Sequence, residues 1–237
     1  MPTALLREHP SCALAIYAHP DDADVSCGAT LAAWAAAGCE VHVVVCASGD
    51  KGSLDPTADP RALAASRRVE AEAAAGILGV RALHHLGRSD GEFENDLALR
   101  AELVALVRSI RPDALICPDP LAVFFGEHYY NHRDHRVVGF AALDAVAPAA
   151  SSPLYFPEAG RAHGVACVYL SGSLEPTVYV DVSTTIEAKV EAVLSHESQL
   201  GGAGEAFRGV IRARAEEAGR IVGVPYAEAF RRLRLSE

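Results

Sequence analysis

Ala18-His19-Pro20-Asp21-Asp22 is the stretch whose reading decides the fold. Residues 12–18, Cys-Ala-Leu-Ala-Ile-Tyr-Ala, run into it as an apolar segment of buried-strand length. Residues 25–34, Val-Ser-Cys-Gly-Ala-Thr-Leu-Ala-Ala-Trp, follow it and read as a helix. An imidazole and two carboxylates therefore share one tight turn at the carboxyl end of the first predicted strand, which is where sites form in open α/β sheets. Pro20 fixes its own φ and stiffens the turn. His19 and Asp22 are ordinary ligands for zinc, and Asp21 beside them is a candidate base. A turn rich in Asp and Pro is also what a plain surface turn looks like, so the rest of the chain has to decide.

The alternation continues outward from that turn. Residues 40–47 form a second apolar strand ending at Ser48-Gly49-Asp50-Lys51-Gly52, and 54–60 is a loop rich in Asp and Pro. Residues 61–78 have helical period and stop near Gly79. A third strand spans 80–86, a helix 96–110 ends before Pro112, and a fourth strand spans 114–117. Strand and helix alternate throughout, which predicts a mostly parallel, Rossmann-like sheet with helices on both faces. Residues 118–131 read as a long loop carrying Phe124, Phe125, Tyr129 and Tyr130, aromatics that can line a pocket. A helix opens at 131–135 and runs to about residue 146, and a loop rich in Pro, Ser and Gly covers 148–164. Strands at 165–170 and 177–182, a helix to 196 capped by Thr184 or Thr185, and a helix over 205–222 complete the pattern. The tail Arg231-Arg-Leu-Arg234 reads as a solvated or subunit-contact face, the one sequence hint of a homo-oligomer. No repeat or linker divides the chain, so residues 1–237 are expected to form a single domain.

Composition narrows the partners. The chain has 237 residues, half of them hydrophobic, enough for a large core. Its net charge of −10 argues against nucleic acid or an anionic membrane and leaves a small molecule as the expected partner. No apolar run approaches the roughly 20 residues that span a bilayer, and residues 1–11 do not resemble a signal peptide. The six cysteines form no CxxC pair and lie mostly in apolar runs, so they read as reduced thiols of a cytoplasmic protein.

A second cluster supports the first. His132 and His135 stand three apart at the start of a helix, so they share a face, and they too follow a predicted strand. His19, Asp22 and one of these histidines make three protein ligands, leaving a position open as catalytic zinc sites require. Bound zinc lowers the pKa of water to about 7. Asp21 is placed to take a proton, and the histidine left over to polarise a carbonyl or protonate a leaving amine. That set suits hydrolysis of an amide or ester.

Ala-His-Pro-Asp-Asp followed by Cys27-Gly-Ala-Thr-Leu-Ala32 resembles the signature of the PIG-L/LmbE family of zinc-dependent de-N-acetylases, which act on N-acetylglucosaminyl conjugates and other N-acyl substrates. The likeness extends through Arg67-x-x-Glu70, Ala74, Leu78-Gly79-Val80, Asp90-Gly91, His132-x-x-His135, and Lys189 with His196-x-Ser198-Gln199. These blocks run in the family's order from about Ala13 to Gln199. The resemblance implies His19, Asp22 and His135 as zinc ligands and Asp21 as general base. It implies His132 as the group that stabilises the oxyanion and helps the amine leave. Tyr130 matches a carbonyl-polarising or lid tyrosine, and Arg67 and Asp90 match sugar-binding positions. Asp134 is a candidate to orient His132 or a ligand from behind. Many members carry Glu directly after the Asp pair; here that place is Ala23, and the acid comes at Asp24. His42, His84, His85, His128, His163 and His196 read as structural or exposed.

The expectation is a zinc-dependent hydrolase that removes an acetyl or other acyl group from an amino-sugar-type substrate. One alternative is a metal-dependent esterase or phosphoesterase, which would favour a second metal and more acidic ligands. Another is a non-catalytic nucleotide-binding module, whose first strand would lead into GxGxxG and not HPDD. A third is a relative that only binds sugar, for which an intact ligand set would have no purpose.

Overall fold

The computed structural model describes residues 4–235. The apolar run after Pro10 is a strand, β2 (Cys12–Tyr17), preceded by a short β1 (Ala4–Leu6) that the sequence pattern did not reveal. Then follow α1 (Asp22–Ala36), β3 (Glu40–Ala47), α2 (Pro60–Leu78), β4 (Ala82–Arg88), α3 (Leu97–Ile110) and β5 (Ala114–Pro118). A two-stranded hairpin, β6 (Phe124–Phe125) and β7 (Tyr129–Tyr130), interrupts the expected long loop before α4 (Arg133–Asp144). The chain finishes with β8 (Cys167–Ser171), β9 (Val178–Asp181), α5 (Ile186–Leu194), α6 (Glu197–Leu200), α7 (Gly204–Val222) and β10 (Ala227–Arg234).

Eight strands form one sheet in the order β1-β9-β10-β8-β5-β2-β3-β4. The pairs β2·β3, β2·β5, β3·β4, β5·β8 and β1·β9 are parallel, and β10 alone runs antiparallel, between β8 and β9. The tail at 231–234 is therefore part of an inserted strand and not a solvated face. Its arginines alternate with Phe230 and Leu233 and read as a basic run, which hid the strand period. From β2 the chain builds outward to β3 and β4, then crosses back to lay β5 on the other side of β2. The crevice at the carboxyl ends of β2 and β5 is thus the topological switch point of the sheet, the place where such sheets bind ligands.

Both faces of the sheet are covered, which explains the unbroken apolar runs. Leu14, Ile16, Val44, Leu115 and Cys117 face α3 and α4; Ala13, Ala15, Tyr17, Val43 and Ile116 face the side of α1. A Cβ on Gly139 would lie 2.6 Å from the Pro118 carbonyl oxygen, so glycine is what lets α4 pack directly on the end of β5. In α1, Cys27 leaves the helical region (φ −143°, ψ 16°) and the helix restarts. The Glu228 carboxylate accepts the amides of Ala29 at 3.3 Å and Thr30 at 2.7 Å there, and Lys189 neutralises it. A carboxylate at a helix start satisfies free N–H groups and suits the dipole. Thr185 does not cap α5 with its side chain; its hydroxyl instead donates to the Ala29 carbonyl at 2.8 Å. All six cysteines are free, and no helix among the described residues is long and apolar enough to cross a membrane.

Arg108, 4% exposed, holds the segment after α4. Its guanidinium donates to the carbonyls of Ala149, Ala150, Ser152, Tyr155, Phe156 and Gly160 at 2.7–3.2 Å. Buried acceptors left without a donor cost about 1–3 kcal/mol each, so Arg108→Ala is expected to lower stability by at least about 3 kcal/mol. The urea midpoint should fall, and limited proteolysis should cut first within residues 148–160. An unchanged midpoint would mean that the segment holds itself.

Candidate active site

The turn His19–Asp21 leaves β2, and Asn131–His135 reaches α4 after the hairpin that follows β5. Since β2 and β5 are direct neighbours, paired Ala13 to Ala114 and Ala15 to Ile116, the two clusters meet above the switch point. His19 Nδ1 lies 3.3 Å from Asp22 Oδ2, His135 Nε2 lies 3.1 Å from Asp22 Oδ1, and the two ring nitrogens are 3.3 Å apart. Ligands at about 2.0–2.1 Å from a tetrahedral ion stand about 3.3 Å from one another. The triangle therefore has the dimensions of such a centre. His132 completes a wider all-histidine group with His19 and His135, within 4.8 Å. It is half exposed, and its Nδ1 already accepts the Asp134 amide at 3.3 Å. The donor set nitrogen–oxygen–nitrogen fits a borderline divalent ion such as zinc.

The outer nitrogen of each ring is held from behind. His19 Nε2 faces Asp134 Oδ2 at 3.4 Å, so of the two tasks open to Asp134 in sequence it takes the one behind His19. Asp134 is fully buried and also accepts the Gly91 amide at 2.7 Å. His135 Nδ1 lies 2.9 Å from Asn131 Oδ1. An amide oxygen can only accept, so this contact puts the proton on Nδ1 and leaves the Nε2 lone pair for the centre. Asn131 was missed in sequence. Its one signal is a polar amide four residues before His135, too common to single out.

Asp21 is a quarter exposed, and its Oδ1 accepts from Arg67 Nη2 at 2.9 Å. Arg67 and Asp90, matched in sequence to sugar contacts, are 3% and 8% exposed. Arg67 also donates to the Gly49 carbonyl at 3.3 Å, and Asp90 accepts the amides of Gly49 at 2.9 Å and Lys51 at 3.3 Å. Both are thus engaged inside the wall of the site, where their polar atoms shape the turn 49–52 and hold Asp21. Gly49 sits at φ +77°, and a Cβ there would meet Arg67 Cδ at 2.7 Å, so the turn accepts only glycine. His196, 1% exposed, bonds Asp24 Oδ2 at 2.7 Å beneath the same turn, a structural task as expected. Tyr130 stands on the hairpin, 59% exposed, with the Arg136 guanidinium 5.7 Å from its ring centre. A cavity of about 320 Å³ between α2 and β4, lined by Pro20, Ser48, Arg68 and His85 among others, touches none of the three histidines. The site itself is an open bowl.

Charge is concentrated in that bowl. Burial works against a charged His19, but Asp22 and then Asp134 outweigh it and raise its pKa from 6.5 to about 10. Burial likewise works against the Asp22 carboxylate, and His135 and His19 outweigh it and hold it well below the usual range. Burial and the neighbouring His19 push His132 down, so that ring is neutral at pH 7. Without a metal, the bowl takes up a proton where a cation fits.

The raised His19 pKa has a sign. Its stabilising effect is complete below 6.5, the ordinary value, and is lost as pH rises toward about 10. The depressed Asp22 contributes above the ordinary 3.8 and loses its effect as pH falls through its folded value. Chelator-treated protein should therefore lose Tm between pH 6.5 and about 10 relative to a His19→Gln variant. Parallel Tm curves for the two proteins across that window would refute the charge balance.

A profile of the PIG-L family, described as GlcNAc-PI de-N-acetylase, matches residues 14–146. The diacetylchitobiose deacetylase of Thermococcus kodakarensis is 31% identical over 227 residues, 92% of this chain and 81% of that protein. The 1D-myo-inositol 2-acetamido-2-deoxy-alpha-D-glucopyranoside deacetylase of Streptomyces avermitilis is 33% identical over 181 residues, 66% of this chain and 59% of that protein. Among solved structures, the N,N'-diacetylchitobiose deacetylase of Pyrococcus horikoshii, complexed with an inhibitor, superposes with a TM-score of 0.86 at 29% identity, covering 95% of this chain and 84% of that one. The match spans more than half of the sequence, including both histidine clusters, and the sheet is shared nearly end to end: the chain belongs to the PIG-L family.

Proposed function

We propose that this chain is a zinc-dependent hydrolase that removes the acetyl group from an N-acetyl amino-sugar substrate. The observation that carries the reading is the 3.1–3.3 Å triangle of His19, Asp22 and His135 at the switch point. Relatives named as deacetylases of diacetylchitobiose and of a glucosaminyl inositol support the amide and the sugar. His19 Nδ1, one Asp22 oxygen and His135 Nε2 would hold the ion. Zinc, when bound, supplies Lewis acidity toward a carbonyl oxygen and makes a water acidic near neutral pH. The six free thiols suit a reducing compartment, the cytoplasm, and the continuous sheet suits a single domain.

The protein's own groups move the protons. Asp21 takes the proton of the attacking water and passes it to the departing amine. Arg67 anchors Asp21 Oδ1 and so aims the carboxylate without contacting the sugar. The Asp134 amide occupies His132 Nδ1, which leaves the proton of the neutral ring on Nε2. That N–H donates to the oxyanion as the carbonyl becomes tetrahedral. Tyr130 is placed beside it as a second donor or as a lid.

The test is acetate release from N-acetylglucosamine and N,N'-diacetylchitobiose by zinc-loaded protein. Asp21→Asn should lower kcat by about 10²–10⁴-fold, with zinc content unchanged. Loss of zinc in that variant would transfer Asp21 to the ligand set, and near wild-type turnover would move the base elsewhere. Asn131→Ala should weaken zinc by about 10–100-fold in chelator competition. Unaltered affinity would remove Asn131 from the support of His135.

A further inference from the structure

Three large aromatic side chains stand exposed on the hairpin beside the bowl: Phe124 at 69%, Tyr129 at 53% and Tyr130 at 59%. Grouped exposed apolar surface of this kind marks a contact. The two faces of the hairpin differ. Phe125 and Tyr129 are cross-strand partners, and their rings pack together at 5.7 Å. Phe124 and Tyr130 are the other pair and share the opposite face. That face is turned toward the site. The Tyr130 ring lies against Arg136, whose amide bonds the His132 carbonyl at 3.4 Å, one helical turn on and on the same side of α4. His132, Tyr130 and Phe124 thus form a row, about 12 Å long from the spacings along and across strands.

The row is held in place relative to the metal ligands. Asn131 Oδ1 meets His135, while its Nδ2 donates to the Ala122 carbonyl at 2.9 Å and its amide to the Val123 carbonyl at 2.7 Å. One residue therefore fixes both the ligand ring and the base of the hairpin. A loop free to drift would not need that anchor.

We propose that Phe124, continuing from Tyr130, is a stacking platform for the sugar ring next to the N-acetyl residue being hydrolysed. The proposal rests on the deacetylase reading above and specifies its substrate as a linked sugar, not a monosaccharide. The C–H face of a pyranose is apolar, and an aromatic ring can cover it while the hydroxyls stay in water. A row of two rings fits two linked pyranoses. A protein partner would need on the order of 800 Å² on this side, far more than two side chains offer. Phe124 makes a specificity contact and takes no part in the chemistry.

The experiment compares kcat/KM for N-acetylglucosamine and N,N'-diacetylchitobiose in zinc-loaded wild type, Phe124→Ala and Phe124→Trp. Wild type should favour the disaccharide. Phe124→Ala should lose about tenfold on the disaccharide, through KM, which corresponds to about 1.4 kcal/mol. On the monosaccharide it should stay within about twofold, as for an ordinary surface substitution. Phe124→Trp should restore the disaccharide value. Equal losses on both sugars, or none on either while wild type cleaves both, overturn the platform and leave the deacetylase reading standing. If wild type releases acetate from neither sugar, the deacetylase reading falls and the platform with it.

Discussion

The carboxylate of Asp22 lies between two imidazoles that leave different strands, His19 from β2 and His135 beyond β5. Neither contact exists unless those strands are direct neighbours in the sheet. The crossing of the chain from β4 back to β5 supplies that adjacency, and it opens the crevice in which the three groups meet. Fold and site are one constraint here. Gly139 serves it by letting α4 sit against the end of β5, which brings His135 within reach.

Buried charge is arranged around that point in pairs. Asp134 stands behind His19, Arg67 behind Asp21, and His196 bonds Asp24 beneath the turn. Farther down α1, Lys189 and Glu228 close the break at Cys27. Removing one partner of such a pair leaves the other charge uncompensated in a poor solvent for it. The pairs come from segments far apart in sequence, so they also tie α2, α5, β10 and the segment around α6 to the catalytic turn. The 49–52 turn shows the coupling at short range: Asp90 holds its amides, Arg67 takes its carbonyl, and only glycine clears the guanidinium.

The bowl carries more acid than base near His19, which suits a cation at the centre and a neutral donor at the rim. His132 meets the second requirement. It is the most exposed of the three rings, and both its burial and its neighbour favour the uncharged form. The same chemistry of neighbours separates Asp21 from Asp22. Adjacent in sequence, one faces two imidazoles and the other a guanidinium.

Much of this was legible in the sequence, because it depends on local pattern. Apolar runs of strand length, helical periods ended by Gly79 and Pro112, and two histidine clusters at strand exits follow from residue type and spacing alone. Those features are enforced by backbone geometry within a few residues. What stayed hidden depends on partners far along the chain. Residues 231–234 look like a basic tail because the arginines of a strand between β8 and β9 can snorkel to solvent while Phe230 is buried. Arg67 and Asp90 look like sugar contacts until burial shows their polar atoms spent on Asp21 and the Gly49 turn. Asn131 and Arg108 are unremarkable letters whose value lies in the carbonyls and ring nitrogen that folding brings to them. The sequence by itself determined the sheet, its alternating connections and the residue types of the site. Tertiary structure alone decided which of those residues face one another, because a hydrogen bond acts over about 3 Å, and only the folded sheet brings groups so distant in sequence that close.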